Sequence, residues 1–468
     1  MKLLAKILFL IFWSILFALA ITKYPGSNIY FVLFSLTFLV MLMSGFYRQV
    51  SYGYLFLVIM LWLGFWFKVI IHLLVDYPFA EPLGGFDNSS ISWDEVLKIG
   101  TIGSLSVLLA RILYGLAGNY SSIVAHIGVF KPQEWFSRCR NWIWALAVLI
   151  CVGLAFINSS LGVIQIGLVQ RTILIWPLNA IISLLIGYGL CIFVGMLIWW
   201  DIALNRKISF VVGLFLFSAF ISSLSLLSRG AYLFQTVPVL LALYKNKGLL
   251  LGWSRKNTIA ISALFFLLFV IANLLVNTQR DMYYSNINTN TSTNTYSFLK
   301  FAVDRWVGIE GVMAISSYSE KSGNLIMRSF AEKRVLESHS FYEEISQSHY
   351  RFMDTKKFQF ASVPGVIGFF YLSGDWWVVA IGLTVFTLAL LVTELLVFRI
   401  TNNLLVSALW GSMISNMISQ FGVAPFDSMI YLFHMSFVVA AVYFFQSKFF
   451  AGFMQKIISF YTRIRKAW

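Results

Sequence analysis

The chain has 468 residues, of which 59% are hydrophobic and only 11% charged, with a formal net charge of +15. An ordinary soluble protein is about 25% charged, so a set of soluble domains, a disordered chain, a secreted disulfide scaffold and a soluble enzyme are excluded. Long stretches free of Asp, Glu, Lys and Arg, among them 141–170, 172–200, 208–228, 257–279 and 400–426, suit a bilayer, which a helix of about 20 apolar residues crosses. The runs are continuous rather than alternating, which argues against the strands of a membrane barrel.

In chain order the predicted spans are 4–22, 28–46, 53–75, 95–117, 142–158, 174–200, 209–227, 231–244, 258–277, 375–398, 403–420 and 428–446. The fold class is an all-α polytopic membrane protein of about 12 transmembrane helices with one large, partly helical outer loop. An even number of spans puts both ends on one side. With the N-terminus in the cytoplasm, the inner segments collect basic residues such as Lys2, Lys6, Arg48, Lys131, Arg138, Arg140, Arg206 and Lys207, against only Glu134 and Asp201. The short outer loops hold only Lys23, Arg171 and Arg229. This asymmetry obeys the positive-inside rule and absorbs most of the net charge, so nothing in it calls for nucleic acid. Lys2 and Lys6 followed by an apolar core are read as an uncleaved first helix rather than a signal peptide.

Four regions follow. Residues 1–277 carry helices one to nine, 278–361 form the large outer loop, 362–446 hold a short apolar re-entrant piece and helices ten to twelve, and 447–468 form a basic amphipathic tail along the inner leaflet. The fifth span ends at Asn158-Ser159-Ser160, Pro177 opens the sixth and Pro238 interrupts the eighth. Breaks of this kind survive in a membrane where protein or a water-filled cavity satisfies the freed backbone groups, so a cavity opening outward is expected. The three cysteines, Cys139, Cys151 and Cys191, avoid the predicted outer loops and form no Cys-x-x-Cys pair, which speaks against disulfides and zinc.

The large loop begins with a polar tract, Asn286 to Thr295, and continues with two helix-like stretches, Phe298 to Ser319 and Leu336 to Met353. Ionisable residues deep within the spans are few: Lys68, Arg111 and Glu394. Proton-coupled transporters use several such acids, so the polar chemistry of this chain lies instead on its outer face. Arg171, Arg229, Arg280 and Arg305 all fall at the outer boundary. There a guanidinium either forks onto a phosphate or snorkels to a lipid headgroup. The loop also offers carboxylates and histidines as general bases, Asp304, Glu310, His339, Glu343, Glu344, His349 and Asp354, of which Glu310, His339 and Glu343 are taken as the leading candidates. His339 and Glu343 are spaced i, i+4, which suits either a catalytic hydrogen bond or an ordinary helix-surface pair. His72, His126 and His434 are read as packed or interfacial. Trp306, Tyr342 and Tyr350 stack on sugar rings or pack the fold. No P-loop, His-Glu-x-x-His or Gly-x-Ser-x-Gly occurs.

A basic chain of twelve spans, with a large outer loop between late spans, boundary arginines, a Ser228-Arg229-Gly230 turn and a Pro364-Gly365-x-x-Gly368 lead into the next span, resembles bacterial O-antigen and capsule polymerases of the Wzy type and their relatives, the O-antigen ligases. Some of those proteins place a glycine eleven positions after an outer arginine; here Ile182, Leu240, Thr291 and Ser316 stand there, so only the general role of the arginines carries over. The resemblance implies a periplasmic loop, a bacterial inner-membrane location and a membrane-embedded glycosyltransferase. It implies substrates that are oligosaccharide repeat units on undecaprenyl pyrophosphate, release of undecaprenyl pyrophosphate, no nucleotide sugar, no bound metal or other cofactor, and a possible chain-length-regulating co-polymerase as partner. Arg171, Arg229, Arg280 and Arg305 would bind the pyrophosphate or glycan. A ligase, a flippase and a non-enzymatic scaffold are the competing readings.

Overall fold

An apolar backbone surrounded by lipid satisfies its own N–H and C=O groups only by coiling into helices or closing into a barrel. The computed structural model describes residues 2–47, 51–117, 134–284, 300–333, 339–352, 354–359 and 362–467, and these are mostly helical. The Asn286 to Thr295 tract, Arg48, His126 and Lys131 lie outside the described residues.

The helices of the first part are α1 (Lys2–Ile21), α2 (Asn28–Phe46), α3 (Tyr52–Val75), α4 (Ser90–Leu116), α5 (Glu134–Leu161) and α6 (Leu178–Ala203). They continue with α7 (Ser209–Ser225), α8 (Arg229–Lys245) and α9 (Arg255–Tyr284). Four short helices follow, α10 (Ile309–Ser316), α11 (Gly323–Ala331), α12 (Phe341–Ile345) and α13 (Gly365–Tyr371). The last are α14 (Trp376–Thr401), α15 (Leu404–Ser419), α16 (Pro425–Gln446) and α17 (Lys448–Ala467). Each expected span coincides with one helix. Among the described residues, nine helices are long and apolar enough to cross a membrane; α7, α8 and α15 are shorter, at 17, 17 and 16 residues.

Helix α15 is the hub. It packs against α3, α6, α8 and α14 and is buried along almost its whole length. Small residues let backbones meet there: a Cβ on Gly411 would stand 2.7 Å from Gly53 N, and Ser415 Oγ donates to Gly53 O at 2.6 Å. Buried charges in the bundle have partners, as the low dielectric demands. Glu394 of α14 caps the start of α3, accepting from Tyr52 N and Gly53 N at 2.9 Å each and from Ser51 Oγ. Arg140 of α5 forks onto Asp201 of α6 at 2.6 and 2.8 Å. Arg111 donates to Tyr47 O and lies 5.0 Å from the Tyr54 ring centre.

One end of the bundle, the loop face, gathers the segments that matter here. Lys23 Nζ reaches Leu74 O at 2.9 Å, Gly84 N donates to Ser346 O at 3.0 Å, and Ile166 N donates to Leu226 O at 2.9 Å. A two-residue antiparallel bridge joins Gly167–Leu168 to Phe358–Gln359. The helix-like stretch expected over Phe298 to Ser319 is broken: a π turn, Lys300–Asp304, is followed by a non-helical passage and then by α10. The stretch expected over Leu336 to Met353 contains only the five residues of α12 and a 3-10 turn, His349–Phe352. The fifth helix runs past Asn158 to Leu161.

Candidate functional site

A cavity of about 420 Å³ lies at the loop face between α6, α8 and α15. Three local irregularities shape it. A π turn in α6, Leu185–Gly189, presents Gly187 O, and Gln235 Nε2 of α8 donates to it at 2.6 Å. The tight link from α7 to α8 puts Leu227 at φ 53° and brings Ser228, Gly230 and Ala231 into the wall. The buried Asn158 side chain pins the link after α5, donating to Ile164 O and Ser225 O at 2.9 Å each and accepting from Ile164 N at 2.8 Å. That holds Ile164 and Ile166 as the apolar side of the cavity. Asn416 and Gln420, at the end of α15, add polar groups. Buried Gln235 Oε1 has no hydrogen-bond partner among the described residues.

Arg305 closes the cavity together with Trp306 and Val307. Its guanidinium rests on Gly230, where a Cβ would stand 2.8 Å from Nη2. Burial, and then the nearby charges of Arg229 and Arg280, push Arg305 down to about 10. Arg229 is anchored by Asn277 Oδ1 at 2.9 Å, and Arg280 Nη2 donates to Ile166 O at 3.3 Å. The sequence-expected arginines Arg229, Arg280 and Arg305 therefore form one cluster. Arg171 stands beside it: its guanidinium lies 5.8 Å from the ring centre of Tyr283, three residues after Arg280 on α9, and it donates to Ser159 O at 2.9 Å. Arg305 is desolvated beside two further guanidinium groups that repel it, and a multiply charged anion would relieve that repulsion. The first turn of α8 adds its N-terminal dipole to the same corner.

No family model, curated protein or solved structure matches this chain. Function therefore rests on the chemistry of the site.

The candidate bases sit apart from the arginines. None of Glu310, His339 and Glu343 lines the cavity. Glu310 is buried and held by Lys68 Nζ at 2.5 Å; it is not presented to a substrate. His339 Nδ1 lies 3.3 Å from Glu343 Oε2, the pair that the spacing suggested. His339 precedes α12 instead of belonging to it, because Ser340 is the helix cap. Glu343 is buried and His339 is 33% exposed along its side chain. Burial raises the Glu343 carboxyl above its ordinary range. Of the aromatic candidates, Tyr342 is buried in the core and Trp306 faces the cavity.

A second polar network adjoins the cavity, and sequence reasoning named several of its members without joining them. Lys68 Nζ donates to Asp304 O at 3.3 Å, to Trp306 O at 2.5 Å and to Glu310. His72 Nε2 meets Asp304 Oδ1 at 2.8 Å and its Nδ1 meets Tyr77 O at 2.9 Å. A carbonyl only accepts, so His72 Nδ1 is the donor to Tyr77 O. Tyr77 OH also donates to Asp304 Oδ1 at 3.1 Å. Glu81 accepts from Ser362 Oγ at 2.8 Å, yet burial, with Glu310 and Asp304 nearby, raises its carboxyl above the usual range. The sequence signals for this network were a lysine inside a span and the loop carboxylates Asp304 and Glu310; nothing local in the sequence showed that they meet.

Proposed function

We propose that the chain polymerises oligosaccharide repeat units carried on undecaprenyl pyrophosphate, as a membrane-embedded glycosyltransferase. The observation that carries this reading is the cluster of Arg305 with Arg229 and Arg280, in which Arg305 lines the wall of a cavity that is otherwise largely apolar and the other two stand beside it. A pyrophosphate leaving group gathers negative charge as the glycosidic carbon–oxygen bond breaks. Preorganised cations in a water-poor site stabilise that charge far better than water does. In this reading the twelve helices all cross the bacterial inner membrane, both termini are cytoplasmic, and residues 278–361 form the periplasmic loop. The donor's pyrophosphate occupies the arginine corner. Its first sugars meet Gln235, Asn416 and Gln420. Its isoprenoid tail leaves toward the apolar groove between α14, α15 and α16, whose wall shares Met417 with the cavity.

The acceptor sugar hydroxyl attacks the anomeric carbon, its proton passes to a base, and undecaprenyl pyrophosphate departs. His339, with Glu343 holding its ring, is the accessible one among the expected bases, but it does not line the arginine cavity, so it serves as the base only where the acceptor sugar extends to it from that cavity. Arg171, on the rim of the cluster, meets the incoming glycan. No metal or other cofactor has a part in this scheme.

The test is a gel of surface polysaccharide from cells that lack the protein, complemented with wild type or with Arg305→Gln at matched expression. The reading expects a ladder that collapses to single repeat units and that Arg305→Gln fails to restore. Accumulation of lipid-linked polymer would indicate a ligase. Repeat units trapped on their carrier in the cytoplasm would indicate a flippase. An unchanged ladder would overturn the glycan reading.

A further inference from the structure

Lys68 sits in α3 with its side chain 1% exposed. An ammonium has three N–H donors, and here they go to the carbonyls of Asp304 and Trp306 and to the carboxylate of Glu310. The two carbonyls flank a single residue, Arg305. The passage that carries them is laid directly on α3. The π turn Leu63–Phe67 displays Gly64, where a Cβ would stand 2.2 Å from Val307 O, and a Cβ on Gly308 would stand 2.0 Å from Gly64 O. Gly64 and Lys68 are one helical turn apart and together form the bed for residues 304–308.

A buried Lys–Glu pair on its own adds little net stability, because desolvation offsets most of the Coulomb gain. Neutralising Glu310 also needs no contact with two backbone carbonyls. In a continuous helix the carbonyl of residue 304 would accept from the amide of residue 308, and that of 306 from 310. Lys68 takes those acceptors and keeps the passage unwound. The unwound passage is what carries the Arg305 guanidinium across to Gly230, into the corner shared with Arg229 and Arg280.

We propose that Lys68 is a positioning residue for Arg305, which holds the guanidinium in the anion corner by gripping the carbonyls on either side of it. This rests on the reading of the cavity as a pyrophosphate site. Lys68 itself touches no ligand.

The experiment is calorimetric titration of the purified full-length protein in detergent with farnesyl pyrophosphate, with the thermal unfolding midpoint of the ligand-free protein measured alongside. Arg305→Gln is expected to weaken binding about tenfold or more, the loss of one charge-assisted contact. Lys68→Met combined with Glu310→Gln, which removes both charges of the pair, is expected to weaken it about tenfold as well. Adding Arg305→Gln to that double variant is expected to cost nothing beyond Arg305→Gln alone, since residues acting as one unit are non-additive. Losses that multiply would overturn the proposal, as would a double variant that binds like wild type. If Arg305→Gln itself binds like wild type, the pyrophosphate reading fails and the proposal with it. Glu310→Gln alone keeps the lysine grip. It is expected to lower the unfolding midpoint while leaving affinity within about twofold of wild type, the ordinary scatter for uncoupled sites. A loss of affinity in Glu310→Gln equal to that of the Lys68 variant would reduce Lys68 to a structural ion pair.

Discussion

Arg305 Nη2 rests on Gly230 so closely that a Cβ there would stand 2.8 Å from it. The far end of a flexible side chain is what stands in the way, so the guanidinium moves before the helix does. Alanine also favours a helix over glycine by about 1 kcal/mol. Gly230→Ala is therefore expected to keep or raise the thermal unfolding midpoint while lowering pyrophosphate affinity several-fold. A drop in both would mean that Gly230 serves only the packing of α8.

Glu81 supplies a pH test. Its folded-state carboxyl is raised above the ordinary range by burial, so the folded protein holds this proton to higher pH than the unfolded chain does. Stability is then lost, not gained, as pH rises from the ordinary carboxylate value through the raised one. Glu81→Gln removes the penalty and keeps an acceptor for Ser362 Oγ. The variant is expected to melt higher than wild type at pH 7 and to match it near pH 4. A variant that melts lower at pH 7 would contradict this sign.

Asn158 ties the end of α5 to the end of α7 through Ile164 and Ser225. Asn158→Leu keeps the volume and leaves those backbone groups without their partner, at a cost of about 2 kcal/mol. Because Ile164 and Ile166 line the cavity, pyrophosphate affinity is expected to fall together with the unfolding midpoint. Unchanged affinity would show that the 162–166 link does not shape the site.

His339 and Glu343 separate by exposure. If His339 is the base, His339→Gln is expected to slow chain extension about 100-fold or more while leaving pyrophosphate affinity at the wild-type level. His349→Gln, in the neighbouring 3-10 turn, is expected to extend chains normally. Equal effects from the two histidines would place the base elsewhere.

The helices were legible because charge-free runs have one good solution in lipid. Each expected span has its helix, including α7, α8 and α15, whose 16 or 17 residues make them short. The boundary arginines were legible as exceptions to a charge rule. Their grouping was not: that Arg229, Arg280 and Arg305 converge while Arg171 stands one turn away depends on how α8, α9 and the 304–308 passage pack. The loop helices were overextended for a physical reason. Residues 298–319 have a helical pattern, but Lys68, over 230 positions earlier, takes two of the carbonyls that a helix would use. The i, i+4 spacing of His339 and Glu343 did yield a contact, 3.3 Å long, although the helix starts only after His339. Glu310 looked like a free loop carboxylate because nothing local in the sequence points to its buried partner in α3.

The most direct test of the central claim is a reaction in a defined mixture. Purified wild-type protein in detergent is given a synthetic undecaprenyl-pyrophosphate-linked repeat unit, and the products are resolved by mass spectrometry. The account predicts lipid-linked dimers and longer chains with one undecaprenyl pyrophosphate released per bond formed, and neither product from Arg305→Gln. Unchanged substrate with the wild-type protein, or extension that proceeds equally well with Arg305→Gln, would contradict it.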